Sequence, residues 1–299
     1  MTRLLSILLV IAMSFTTQAQ QKPDAKQQLI ANIKAELDKQ KGVFAVAFKN
    51  VATGETLLIN EHENFHAAST MKTPVMIELY RQAAAGKFSM TDLVTVKNDF
   101  RSIVDSSSYQ LSAADDSQQE LYQQIGTQKT IYELMYQMII MSSNLATNIL
   151  IEKVDGKNVT NTMRELGAMD IQVRRGVEDN KAYAKGLNNT TTAYDLMVIY
   201  DRMAKGEIVS GQASQEMIRV LLDQHYRDII PARLPAGVKV AHKTGFITAL
   251  HHDSGIVFLP DGTRYVLVLL SKKLEDEKAA VEAMARVSEL IFQYVESSK

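Results

Sequence analysis

Ser69 stands three residues before Lys72 in FHAASTMKTPVMIELY (65–80), and it is the only serine in the chain with a lysine at that distance. On a helix, residues three apart share a face, so the amine can reach the hydroxyl. A serine hydroxyl becomes a nucleophile when a base takes its proton, and a lysine can be that base once burial or nearby positive charge depresses its pKa. Amides at a helix N-terminus would stabilise an oxyanion forming beside it. A serine near a helix start is also a common N-cap, so the pair alone leaves both readings open. Pro74 lacks the N–H that would bond the Thr70 carbonyl, which predicts a mild kink.

Two further segments carry polar groups where a plain scaffold would not need them. Met141-Ser142-Ser143-Asn144 interrupts an otherwise apolar helical stretch, where three consecutive polar side chains require partners. A helix–helix turn capped by Ser and Asn would also account for them. Lys243-Thr244-Gly245 falls on a strand-like run, with a glycine that permits close backbone approach, and a plain exposed strand lysine would also account for it.

The elements that must position these groups are readable from periodicity. Leu29, Ile30, Ile33 and Leu37 give a helix over 26–39; VFAVAFKN and TLLIN follow as strands. Near the other end, 238–247, 255–259 and 264–270 read as three strands, the last two joined by Pro260-Asp261-Gly262. A final amphipathic helix over 275–295 carries Ala280, Met284, Val287, Ile291 and Tyr294 on one face. Between about 70 and 222 the pattern is helical, with no convincing sheet. TIYELMYQMIIMSSNLATNILIEKV (130–154) reads as a buried helix or helix pair, and Thr192 with Asp195 opens another helix. The expected fold is α/β of the α+β type: an antiparallel five-stranded sheet from both chain ends, flanked by the terminal helices, with an inserted all-α domain. The expected divisions are a leader over 1–20, a discontinuous sheet domain over 26–68 and 223–299, and the insertion over 69–222.

Composition narrows the function classes. Among 299 residues, 33 Lys plus Arg balance 34 Asp plus Glu, so no basic surface for nucleic acid or an anionic membrane is expected. MTRLLSILLVIAMSFTTQAQ has a basic start, an apolar middle and small residues at its end, the pattern of an export signal. The absence of cysteine excludes a thiol nucleophile and any disulfide framework, so stability must come from the core. His251, His252 and Asp253 do not read as a metal site, because adjacent strand residues point to opposite faces. No metal and no organic cofactor are expected, and nothing requires more than a monomer.

S-x-x-K, S-x-N and K-T-G, in this order behind an export signal, resemble the class A β-lactamases and the related penicillin-binding peptidases. The resemblance covers essentially the whole mature chain and includes LPAGVKVAHKTG (234–245) and NTTTAYDL (189–196). It implies Ser69 as acylated nucleophile, Lys72 as its proton acceptor, and Ser142 as a relay to the leaving nitrogen. It implies Asn144 at the substrate's side-chain amide, Lys243 as positive charge near Ser142, and Thr244 at the substrate carboxylate. The amides of Ser69 and Phe246, beside Gly245, would form the oxyanion hole. The substrate implied is a small-molecule β-lactam, and the location the periplasm.

Three departures stand out. The middle of the second motif is Ser143 where class A usually has Asp. In VRRGVEDNKAYAKGLNNTTT, Glu178 falls near the place of the deacylating glutamate, but the residue four beyond is Ala182 and the nearest amide is Asn180. As an ordinary loop acid, Glu178 would instead pair with Arg174 or Arg175. After KTG no arginine follows for the substrate carboxylate, leaving Arg227, Arg233, His251 or His252 as substitutes. The rival expectations are a D-alanyl-D-alanine peptidase with slow deacylation and a non-catalytic β-lactam or peptidoglycan binding module.

Overall fold

The computed structural model describes residues 25–298, so the leader read over 1–20 lies outside the described residues. Helix α1 (Ala25–Leu37) precedes strands β1 (Val43–Asn50) and β2 (Thr56–Ile59). A 3₁₀ turn (Ala68–Met71) then runs into α2 (Lys72–Ala84). There follow α3 (Ile131–Ile140), α4 (Asn144–Val154), α5 (Gly156–Glu165), the short α6 (Asn180–Ala184), α7 (Ala193–Ala204) and α8 (Gly211–Leu222). Strands β3 (Lys239–Ile247), β4 (Leu250–Phe258) and β5 (Arg264–Lys272) and helix α9 (Glu277–Ser297) complete the chain. The sheet has the order β2-β1-β5-β4-β3 with every neighbouring pair antiparallel, as expected for an α+β fold built from both chain ends.

Alternation along the strands explains why helices cover both faces. In β1, Phe44, Val46 and Phe48 join the core under α1 and α9, while Ala45 and Ala47 join the core of the helical segment. In β5 the same split puts Tyr265, Leu267 and Leu269 on one side and Val266, Val268 and Leu270 on the other. A period of two with both faces apolar is the signature of a sheet buried on both sides.

The structure corrects several sequence expectations. Strand β4 begins at Leu250, five residues before the expected 255, after a two-residue turn at Thr248 and Ala249. Its first half is polar in sequence yet buried, because its polar atoms have partners: His252 Nε2 bonds the His66 carbonyl, and Asp253 accepts from the Ile230 amide and pairs with His242. The helical middle also contains three short ladders, Phe65–His66 with Thr190–Thr191, Leu93–Thr95 with Gln128–Thr130, and Phe100–Arg101 with Ser108–Tyr109. The stretch 130–154 is a helix pair broken at Met141–Ser143. Pro74 falls in the first turn of α2, just after the 3₁₀ turn gives way to α-helix.

Candidate active site

Ser69 is not a helix cap. It sits in the 3₁₀ turn ahead of α2, and among the described residues its hydroxyl makes no hydrogen bond while it lines a pocket of about 620 Å³. The turn is held from outside: Ala67 N donates to Asn189 O, Ala68 N to His66 Nδ1, and the Thr70 hydroxyl to Ala67 O. Ala68, Ser142 and Glu178 all have positive φ, at 44°, 59° and 61°. Such conformations cost roughly 1–2 kcal/mol each for a non-glycine residue, and their clustering around one pocket is typical of functional sites.

Lys72 is fully buried in the first turn of α2 and points at the break between α3 and α4. Its amine donates to Ser142 O at 2.7 Å, Ser142 Oγ at 3.1 Å and Asn144 Oδ1 at 3.0 Å. Burial pulls its pKa down to about 7, against the opposing attraction of Asp116 and Glu178. Lys243, also fully buried, donates to the same Ser142 Oγ at 3.1 Å and to Thr244 O at 2.9 Å. Burial first, then repulsion from Lys72, lowers its pKa well below the usual lysine value, with Asp253 opposing. Two amines sharing one hydroxyl in a dry setting disfavour the doubly charged state, so the pair has room for a proton. Ser143 caps α4 by accepting from Ala146 N. The second motif is therefore both a capped helix turn and the contact surface of both lysines.

Gly245 brings β3 against the Ser69 turn. A Cβ at this position would lie 3.0 Å from Ser69 N, 3.1 Å from Thr70 N and 3.3 Å from Ala68 Cβ, so any side chain here would make β3 or the Ser69 turn give by a few tenths of an ångström. Phe246 follows on the pocket rim with 61 % exposure, stacked on His251.

Glu178 lies across the pocket, half-buried, with Oε1 accepting from Asn144 Nδ2 at 3.3 Å and Oε2 from Ser112 N at 3.4 Å. Burial raises its pKa above the ordinary carboxylate value; these two hydrogen bonds oppose the rise, and Asp115 and Asp116 add to it. It is not the loop acid paired with arginine: Arg174 donates to Gln172 Oε1, and Arg175 to the carbonyls of Leu187 and Gly176 and to Asn188 Oδ1. Ala182 is fully buried, and Asn180 lines the pocket from the start of α6.

The expected substitutes for a carboxylate-binding arginine are mostly committed elsewhere. Arg233 is held by Glu282 and Glu289, and His251 by Glu277. His252 is buried with its pKa lowered to about 4, chiefly by desolvation, so it is a neutral structural imidazole. Arg227 is exposed and outside the pocket lining.

Sequence reasoning missed Asp116. It is 3 % exposed, and its Oδ2 accepts from Asn144 N at 2.9 Å, Leu145 N at 2.8 Å and the Tyr122 hydroxyl at 3.0 Å. Its neighbours in AADDSQQ carry no signal of this; only a buried destination for the 102–119 segment would have revealed it.

The sequence model described as the beta-lactamase enzyme family matches residues 28–295. Extended-spectrum beta-lactamase PER-1 of Pseudomonas aeruginosa is 24% identical over 302 residues, covering 97% of this chain and 92% of its own length. Among solved structures, the beta-lactamase from Sphaerobacter thermophilus DSM 20745 superposes with a TM-score of 0.77 at 26% identity, over 90% of this chain and 97% of that one. A mutant of PBP-A, solved as an acyl-enzyme complex with penicillin G, superposes with a TM-score of 0.77 at 25% identity, over 90% and 97% of the two chains.

Proposed function

We infer that this chain, which belongs to the beta-lactamase enzyme family, is a serine hydrolase of class A type that opens the β-lactam ring through an ester on Ser69. The observation that carries the reading is the pair of buried amines, Lys72 and Lys243, meeting on Ser142 Oγ, in a site whose Ser69 hydroxyl has no hydrogen-bond partner among the described residues. In the first step the Ser69 oxygen attacks the ring carbonyl and its proton passes to neutral Lys72. The carbonyl oxygen takes the negative charge against the amides of Ser69 and Phe246. As the C–N bond breaks, Ser142 hands its proton to the nitrogen and regains one from Lys72. In the second step a water, deprotonated by Glu178, attacks the ester; the C–O bond breaks and the proton returns to Ser69. Asn144 and Thr244 bind the substrate's amide and carboxylate, and Lys243 supplies positive charge near Ser142. We assign no metal or organic cofactor to these steps.

The site lies where the insertion (69–222) meets the sheet segments (26–68 and 223–299), which we take as its two domains. We place the enzyme in the periplasm as a monomer; no described helix is long and apolar enough to cross a membrane.

An intact-mass time course of the mature protein with a modest excess of a penicillin tests the reading. An adduct of the drug's mass should appear and then vanish as hydrolysed drug accumulates; no adduct at any time would sink it. Because Lys72 must be neutral to accept the proton and its pKa is about 7, the acylation rate should rise as pH increases through about 7 and level off above it. A rate that stays flat from pH 5 to 8 would remove Lys72 as the base. Gly245→Ala should lower kcat/KM about tenfold or more, because β3 or the Ser69 turn must shift by a few tenths of an ångström. Unchanged kinetics with a chromogenic cephalosporin would show that the oxyanion site lies elsewhere.

One observation favours a second reading, a penicillin-binding peptidase. Ala182 replaces the amide that would help Glu178 hold water, and both hydrogen bonds to Glu178 are long. In that case the same mass adduct forms and persists for hours.

A further inference from the structure

We propose that Asp116 is a positioning residue for Lys72, acting through Asn144: it fixes the first turn of α4 and places an anionic group beside the buried amine. Its Oδ2 accepts from the Asn144 and Leu145 amides, which begin α4 and have no intrahelical acceptor, while its Oδ1 accepts from Gln118 N at 3.0 Å. Ser143 takes the next amide, Ala146 N, so carboxylate and hydroxyl together satisfy the helix start. Asn144, held by its backbone to Asp116, spans the site with its side chain, accepting from Lys72 and donating to Glu178. One residue thus separates the carboxylate from the amine.

The charge itself needs an explanation. Asp116 is buried, and among the described residues no ion pair includes it. A neutral amide of the same shape would keep one oxygen for the two α4 amides and the Tyr122 hydroxyl but would turn its NH₂ toward the Gln118 amide. What a neutral residue would not do is act on Lys72 at a distance. Lys72 faces Lys243 from β3, with Asp253 of β4 behind it, Glu178 from the loop before α6, and Asp116; the start of α4 offers it only the uncharged Ser142 and Asn144. Asp116 is thus one of two anions opposing the push of burial on the Lys72 amine. The same 102–119 segment also anchors the Glu178 loop, through the Ser102 hydroxyl and Ile103 amide on Asp179. A single irregular segment therefore aligns both proposed bases.

The test is a titration of the free protein with ¹³C-labelled lysine side chains, the Lys72 signal being assigned by its loss in Lys72→Arg. Asp116→Asn keeps an acceptor and removes the charge. The Lys72 midpoint should fall by about half a unit or more. Asp116→Ala should show the same fall, together with a tenfold or greater loss of penicillin acylation as Asn144 loses its anchor. A Lys72 midpoint equal to the parent's in either folded variant, or failure of both variants to fold, would make Asp116 a residue of the fold alone and overturn the proposal. The inference rests on the lactamase reading only for the acylation readout. If the parent forms no penicillin adduct, that reading fails while the titration still decides the role of Asp116.

Discussion

Ser69→Ala should abolish the penicillin mass adduct and lower β-lactam hydrolysis by roughly four orders of magnitude or more, while leaving the fold untouched. The two halves of this expectation come from separate observations. The chemical half follows from the proposed ester on this hydroxyl, whose oxygen the alanine lacks. The structural half follows from the hydroxyl having no hydrogen-bond partner among the described residues, so its removal strands no buried donor or acceptor. Such a substitution normally changes stability by no more than about 0.5 kcal/mol. Thermal melts and intact mass on one preparation separate the halves. A variant that melts like the parent and still takes up drug would move the nucleophile, with Ser142, bonded to both amines, as the next group to examine. Removing Lys72 would be a less clean experiment, because it breaks three hydrogen bonds at a fully buried position.

How far the sequence carried this picture depended on the range of each signal. The sheet was legible because residues such as Phe44, Val46 and Phe48 alternate with Ala45 and Ala47 over a single short run, and such alternation needs no knowledge of the rest of the chain. The start of β4 was not legible, because the apolar run that marks the strand begins only at Gly255, and the placement of the polar His251, His252 and Asp253 depends on partners on other segments. Within the site, Ser69 and Lys72 are one helical turn apart, and the second and third motifs are each contiguous, so residue type and spacing brought out all three. The structure puts Ser69, Ser142 and Asn144 on one pocket, and the buried Lys72 and Lys243 meet on Ser142; among the described residues no hydrogen bond joins Lys72 to the Ser69 hydroxyl. Asp116 acts on Asn144 from 28 residues away, through a segment of turns and 3₁₀ helix whose path no periodicity encodes. The Glu178 loop falls between these cases. Its acid was legible from position, but its freedom from Arg174 and Arg175 depended on where those guanidinium groups found carbonyls.

Glu178→Gln should convert a transient adduct into a lasting one, slowing deacylation by about 10²–10⁴-fold while acylation changes far less. The amide retains an oxygen to accept from Ser112 N or Asn144 Nδ2, so the loop keeps its place and the variant tests proton removal from water. The pH dependence gives a second handle. Burial, with Asp115 and Asp116 nearby, raises the Glu178 pKa, and only its ionised form can take a proton from water. As pH falls, deacylation should therefore fail at a less acidic pH than an ordinary glutamate would allow, and the adduct should persist longest in acid. Acylation weakens toward acid for a different reason, the protonation of Lys72. Separate measurement of adduct formation and adduct decay keeps the two limbs apart. If parent and Glu178→Gln lose the adduct at the same rate, water is activated by some other group, and Glu178 is a spacer between Asn144 and the 102–119 segment. If the parent itself never releases the drug, Ser69 and Lys72 keep their roles and the missing amide at Ala182 becomes the reason that hydrolysis stops at the ester.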